Sequence, residues 1–426
     1  MERLIIQGGQ TVAGRVRVSG AKNSALALIA GTLLADGAVE LSNVPDLLDV
    51  RVMAEVLGHL GADVTFTDEG CMRVDATRVK HWEAPYDLVT KMRASFFVLG
   101  PILARMGRAK IPLPGGCAIG SRPVDLHLKG LRALGASVQI EHGFVEAFAE
   151  RLYGANIYLD YPSVGATENI MMAASLADGI TVIENCAQEP EIVDLADMLN
   201  AMGADVRGAG TETIVIYGVE RLGGCSHRVI PDRIEAGTWM MAAAITRGEL
   251  RLEGVRLDHM QAIVSKLTEA GILIQPDGPE CVIVKGHDDL RPVDVRTMPY
   301  PGFPTDLQAP MMALLATIPG TSMISETVFE NRFLHVDELL RMGAQIKTEG
   351  NAAVILGQRR LTGAPVKSTD LRAGAALILA ALVAQGDSYI SGLHHIDRGY
   401  EEIENKLRTA GVRLSRVSVS DSALVS

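Results

Sequence analysis

Two hydrophobic patterns alternate along the chain. One is a run of small and aliphatic residues with no polar face, as in SALALIAGTLLADG (24–37) and ENIMMAASLADG (168–179). Such a run predicts a helix buried on every side. In the other, apolar residues recur at helical spacing, as at Val52, Val56 and Leu57, or Val193, Leu195, Met198 and Leu199. That spacing predicts an amphipathic helix with one face on a core. Short segments between the two helices read as strands: AVELSN, ITVIEN, ELRLEG, TSMISE and DSYISG. A glycine ends each amphipathic helix, where a C-cap belongs, and a strand such as ADVTFT or ADVRGAG begins directly after it.

This order of elements repeats. LGADV (60–64) returns as LGASV (134–138), MGADV (202–206), AGILI (270–274), MGAQI (342–346) and AGVRL (410–414). The shared glycines are Gly61, Gly135, Gly203, Gly271, Gly343 and Gly411, separated by 74, 68, 68, 72 and 68 residues. A period near 70 exceeds the 20–50 residues usual for solenoids, and a βαβαβ-type unit fits it better. Six such units group as two domains of three. The Gly-rich break Gly218–Gly224, followed by HRVIPDRIEAG, lies near the chain midpoint and marks the crossover.

Composition narrows the function. At 426 residues, length alone suggests about three domains, a number the repeat replaces with two. Hydrophobic residues make up 48% and aromatics only 4%, so the core must be aliphatic. The net charge of −11 argues against a nucleic-acid or anionic-membrane binder, but a local cation cluster could still hold a small anion. Cys71, Cys117, Cys186, Cys225 and Cys281 form no CxxC pair, so no disulfide framework or zinc ribbon is expected. Residues 1–9 lack the apolar core of a signal peptide, and the apolar stretch 375–384 is well short of a ~20-residue membrane span. The chain reads as soluble and cytoplasmic.

Candidate chemistry gathers in a few places. IPLPGGCAIGSRPVDLH (111–127) reads as an exposed loop, where the repeat interval lengthens to 74. It carries Cys117, Arg122, Asp125 and His127, and an arginine near Cys117 would lower the thiol pKa. The alternative is a surface thiol in a connection. Cations recur near the starts of the repeats' first helices, at Lys22, Arg93, Arg233 and Arg372, with Arg332 and Arg398 in loops. Each alone reads as a solvated charge; together they suggest convergence on one anion site. In FPTDLQAP, Asp306 stands where a helix N-cap belongs, with Thr305 as the alternative cap. Asp306 could instead be a general base toward a hydroxyl. HHID (394–397) tempts a metal assignment, but two adjacent His do not share a face on a strand. No P-loop, dinucleotide fingerprint, GxSxG or HExxH occurs.

Taken together, the motifs resemble the UDP-N-acetylglucosamine 1-carboxyvinyltransferases, a branch of the enolpyruvyl transferase family. The resemblance covers essentially the whole chain: SGAKNSAL (19–26), PGGCAIGSRPVDLH (114–127), SVGATENIMMAA (163–174), EPEIVDLA (189–196), PDRIEAGT (231–238), FPTDLQAP (303–310), TVFENRFLHVDEL (327–339) and HIDRGYE (395–401). It implies a two-domain inside-out α/β barrel of six repeats, with domains 22–230 and 1–21 plus 231–426 and the active site in the cleft between them. The implied reaction moves the enolpyruvyl group of phosphoenolpyruvate to the 3′-hydroxyl of UDP-N-acetylglucosamine, with no metal or organic cofactor.

By the same resemblance, Cys117 is the proton donor and can bond phosphoenolpyruvate, Asp306 is the proposed base, and Lys22 and Arg398 complete the catalytic set. Lys22, Asn23, Arg122, Arg332, Arg372 and Arg398 match phosphoenolpyruvate contacts. Asn23, Arg93, Arg122, Pro123, Val124, Asp125, Leu126, Ser163, Val164, Gly165, Asp306 and Val328 match UDP-sugar contacts. Tyr161 and Pro162 stand where some members carry a nearby Lys, which puts one diphosphate contact in doubt. A 5-enolpyruvylshikimate-3-phosphate synthase-like transferase and a silent UDP-sugar-binding regulator are the alternatives.

Overall fold

In the computed structural model, residues 2–67, 70–89, 92–113, 124–358 and 360–418 are described. They divide into two compact units, one made of residues 2–19 and 231–418, the other of the described residues between 20 and 230.

In the 20–230 unit, the small-residue runs form interior helices. Helix Lys22–Gly31 buries eight residues, Ser24 through Gly31, and Val164–Ala174 buries every residue from Ala166 onward. The third interior helix, Leu99–Met106, follows a 3-10 turn, Arg93–Val98. The amphipathic helices Leu48–Leu60, Asp125–Ala133 and Pro190–Ala201 alternate with them. In the other unit the interior helices are Arg233–Ile245, Gln308–Leu315 and Leu371–Val383, and the amphipathic ones include Gln261–Glu269 and Ile403–Thr409. Each unit is thus inside-out, with helices within and sheets around them. Interior helices must approach closely, which explains the small residues. A Cβ added at Gly237 would lie 2.4 Å from Leu307 Cδ1.

All six repeat glycines adopt left-handed φ, from 85° at Gly343 to 106° at Gly61 and Gly203. A side chain is strained there, which is why each repeat ends its amphipathic helix with glycine. After the glycine, the structure adds a strand that the sequence pattern did not separate. The strand directly after the helix pairs antiparallel with a second one, as Asp63–Thr67 does with Cys71–Asp75. The unit is therefore helix, strand, helix and hairpin.

The extended segment that follows each hairpin pairs parallel with a neighbouring repeat. Asn156–Tyr158 joins Ile180–Glu184 in this way, and Pro365–Lys367 joins Asp387–Ser391. The last such segment of each unit closes a ring: Ser226–Arg228 returns to Ala38–Ser42, and Ala13–Arg17 to Glu249–Glu253. Among the described residues, the sixth repeat has no second hairpin strand of its own. Glu2–Gln7 fills that place, antiparallel to both Asp387–Ser391 and Leu414–Ser418. Leu4 and Ile6 are its buried residues, the period-2 pattern of a strand with one face on a core.

Candidate functional site

The interior helices or their leading 3-10 turns begin at Lys22, Arg93, Val164, Arg233, Thr305 and Leu371. Lys22, Asn23, Arg93, Ser163, Val164, Gly165, Asp306 and Arg372, all expected at the site, lie in or beside these first turns. Free N–H groups and the helix dipole make such turns suited to anions. Ser163, Asp232 and Asp370 cap three of them with their side chains. Ala21, ahead of Lys22, offers no side-chain cap.

The capping reading of Asp306 and Thr305 does not hold. Pro304 precedes the 3-10 turn Thr305–Leu307, Leu307 precedes helix Gln308–Leu315, and neither gives a side-chain cap. The Asp306 carboxylate instead accepts from Arg332 Nη2 at 2.8 Å and from Arg372 Nη2 at 2.6 Å. Both arginines are 5% exposed. Burial alone would raise the Asp306 pKa, but the Arg372 and Arg332 guanidiniums outweigh it and hold the carboxyl well below the usual range. Arg372 also faces the Tyr400 ring at 5.8 Å, and the Tyr400 hydroxyl bonds Thr238 at 2.9 Å.

A second carboxylate organises the same region. Glu326 follows strand Gly320–Ser325 and is 2% exposed. Its Oε1 accepts from Thr297 Oγ1 at 2.8 Å and from the Val328 and Phe329 amides at 2.9 and 3.2 Å; its Oε2 accepts from Thr305 Oγ1 at 2.8 Å. Thr305 Oγ1 in turn accepts from Arg332 Nη1 at 3.0 Å. Thus Asp306, Arg332, Arg372 and the Val328 backbone are brought together. Arg398 lies in the turn after the short helix Leu393–Ile396, half-buried, where it helps depress the His395 imidazole after burial and His394. HHID is therefore a helical turn and not a strand.

In the 20–230 unit, Lys22 Nζ lies 3.3 Å from Asp49 Oδ2. One residue past Asn23, the Ser24 hydroxyl donates to Asp194, whose other oxygen bonds His227 Nε2 at 2.8 Å. Val124 stands at the N-cap of helix Asp125–Ala133, with Asp125 exposed and Leu126 half-buried in its first turn. His127, in that turn, lies edge-on to Phe96 and meets Asn169 Nδ2 at 3.1 Å. Both ends of the 111–127 loop reading are overturned: Ile111 and Pro112 belong to strand Arg108–Pro112, paired to Val145 and Phe144, and 125–127 are helical. Cys117, Arg122, Pro123 and the Arg93 side chain lie outside the described residues.

Asp49, Asp194 and Glu326 were missed in the sequence. Asp194 stands inside EPEIVDLA and Glu326 ends TSMISE, so both were in view. Nothing in either string marks an acid as buried, because the side chains that donate to them come from segments 21 to 170 residues away. Among the described residues, no group of three His, Cys, Asp or Glu could hold a metal ion, and no helix is long and apolar enough to cross a membrane.

Comparison with known proteins places the chain. Residues 6–407 match the family of EPSP synthase (3-phosphoshikimate 1-carboxyvinyltransferase). UDP-N-acetylglucosamine 1-carboxyvinyltransferase 2 of Carboxydothermus hydrogenoformans is 58% identical over 98% of this chain and 100% of its own. UDP-N-acetylglucosamine 1-carboxyvinyltransferase 1 of Caldanaerobacter subterraneus subsp. tengcongensis is 56% identical over 97% and 99%. Among solved structures, the enolpyruvyl transferase NikO from Streptomyces tendae superposes with a TM-score of 0.90 at 27% identity, covering 98% of this chain and 99% of that one. EPSP synthase from Acinetobacter baumannii shares the fold, with a TM-score of 0.76 at 18% identity over 98% and 100%. A full-length family match and identity above half to named relatives leave one assignment: the chain belongs to the EPSP synthase family of enolpyruvyl transferases, in its UDP-N-acetylglucosamine 1-carboxyvinyltransferase branch.

Proposed function

We propose that this transferase moves the enolpyruvyl group of phosphoenolpyruvate to the 3′-hydroxyl of UDP-N-acetylglucosamine, releasing inorganic phosphate, as a step of peptidoglycan precursor synthesis in the cytoplasm. The arrangement that carries the reading is Asp306 held between the buried Arg332 and Arg372 guanidiniums. The acceptor is read from the names of the relatives.

In the first stage, the Cys117 thiol gives a proton to the phosphoenolpyruvate methylene, and the adjacent carbon becomes electrophilic. The sugar oxygen bonds that carbon as its own proton passes to Asp306. In the second, the Cys117 thiolate takes a proton back from the new methyl group as the C–O bond to phosphate breaks, giving the enolpyruvyl ether and inorganic phosphate. Lys22, Arg122 and Arg398 hold the phosphate, and Arg332 and Arg372 neutralise the substrate's carboxylate and phosphate charge.

The geometry adds a condition. With two guanidiniums on it, Asp306 is too weak a base to accept a hydroxyl proton well near neutral pH. Phosphoenolpyruvate brings a carboxylate and a phosphate to compete for Arg332 and Arg372, and as they engage, Asp306 regains basicity. Binding of one substrate in this way prepares the base for the other. The test is to incubate the protein with both substrates and identify the nucleotide product by mass spectrometry. A UDP-sugar carrying one added enolpyruvyl group supports the reading; unchanged UDP-N-acetylglucosamine refutes it.

A further inference from the structure

Glu326 is held by four donors, two hydroxyls and two backbone amides, although it is nearly fully buried. An ionised carboxylate only accepts hydrogen bonds, while a threonine hydroxyl has a single hydrogen. With Glu326 taking that hydrogen, the lone pairs of Thr305 Oγ1 must face outward, and one of them receives Arg332 Nη1 at 3.0 Å. The second amide bonded by Glu326 belongs to Phe329, whose ring lies 5.1 Å from the Arg332 guanidinium carbon. Arg332 Nε is buried with no hydrogen-bond partner among the described residues, so the hydrogen bonds that aim the guanidinium come from its two terminal nitrogens. One of these reaches Thr305 and the other Asp306.

We infer that Glu326 is a positioning residue that acts through Thr305 and the Phe329 turn to aim the Arg332 guanidinium at Asp306 and at the substrate anion. It sets the direction of the hydrogen bond as well as its place. An amide at 326 would present a donor to Thr305 or leave its hydroxyl hydrogen free to turn toward Arg332, cation against donor. The consequence for turnover rests on the enolpyruvyl-transfer reading above; the effect on anion binding does not.

The experiment compares wild type, T305V, T305S, E326Q and the double variant T305V/E326Q, with thermal melts to confirm folding. Valine keeps the threonine shape and removes the hydroxyl; serine keeps the hydroxyl. Misaiming a substrate-positioning group by about 1 Å costs on the order of 10²-fold, so T305V and E326Q should each lose about that much kcat/KM for phosphoenolpyruvate. The double variant should lose no more than the worse single one, because both break the same chain of bonds. T305S should stay within a few-fold of wild type. A T305S variant as impaired as T305V, or losses that multiply in the double variant, would overturn the inference. If E326Q fails to fold, the T305V and T305S pair decides. If wild type transfers no enolpyruvyl group, the functional reading falls and the positioning role is judged by calorimetric binding of phosphoenolpyruvate. Equal affinity in wild type and T305V would then refute it, and weaker affinity in T305V restored in T305S would support it.

Discussion

Replacing Asp306 with asparagine should destabilise the unit that holds it, even before any substrate is present. The substitution keeps the side-chain shape but removes the negative charge between two guanidiniums that are each 5% exposed. Arg332 keeps Thr305 and Arg372 keeps the Tyr400 ring, yet neither contact supplies a full counter-charge. Removing one partner of a buried ion pair costs about 3–5 kcal/mol. For a unit of about two hundred residues, each kcal/mol lowers the melting temperature by about 2–4 °C, so a fall of about 6–20 °C is expected.

The same residue sets an acid limit. Its native pKa is held well below the ordinary value, so its contribution is complete above the unfolded pKa of about 3.9 and fades as pH falls through the native one. The gap between wild type and Asp306→Asn should therefore be constant from neutral pH down to about 4 and narrow below it. Inorganic phosphate should raise the melting temperature of the variant more than that of wild type, since an anion can take the place of the lost carboxylate. Scanning calorimetry across pH, with and without phosphate, tests all three points. A variant that melts within about 2 °C of wild type at pH 7 would show that Asp306 does not neutralise the two guanidiniums.

Four further outcomes are expected. Cys117→Ala should lose most turnover while calorimetric binding of UDP-N-acetylglucosamine survives; wild-type turnover across pH would refute the acid role. Arg398→Ala should weaken phosphoenolpyruvate far more than the UDP-sugar, and an equal fall for both would indicate a folding defect. Glu168 is buried beside Glu191 and Glu189, and burial first and then these charges push its pKa well up. The unfolded chain ionises it above about pH 4.3 while the native state resists ionisation, so Glu168→Gln should raise the melting temperature at pH 8 and not at pH 4. Gly237→Ala should cost about 1–3 kcal/mol in a melt and lower kcat as well, because the new methyl collides with Leu307 beside Asp306.

The sequence made the repeat legible because each unit needs a left-handed residue at one place, and glycine fills it six times. Interior helices were equally plain, since a run such as Leu371–Val383 has no polar face to put in water. The second hairpin strand was not, because Cys71–Asp75 and Ala352–Gly357 follow the first strand after only a few turn residues. Nor was the role of Glu2–Gln7, whose partners lie some 380 to 416 residues further on.

At the site, the cations could be found by their recurrence at equivalent positions, but their partners could not. FPTDLQAP reads as a capping motif from local spacing alone, and only the fold brings Arg332 and Arg372 onto Asp306. Glu326 and Asp194 likewise depend on side-chain donors distant in sequence, Thr297 and Thr305 for the one and Ser24 and His227 for the other. Local strings show which residues start a helix; they do not show which charges the fold brings face to face.

The most direct measurement is phosphate release from phosphoenolpyruvate by the purified protein, with UDP-N-acetylglucosamine and shikimate 3-phosphate offered separately. The predicted result is release, stoichiometric with acceptor consumed, with UDP-N-acetylglucosamine alone. Release only with shikimate 3-phosphate, or with neither acceptor, would contradict the assignment.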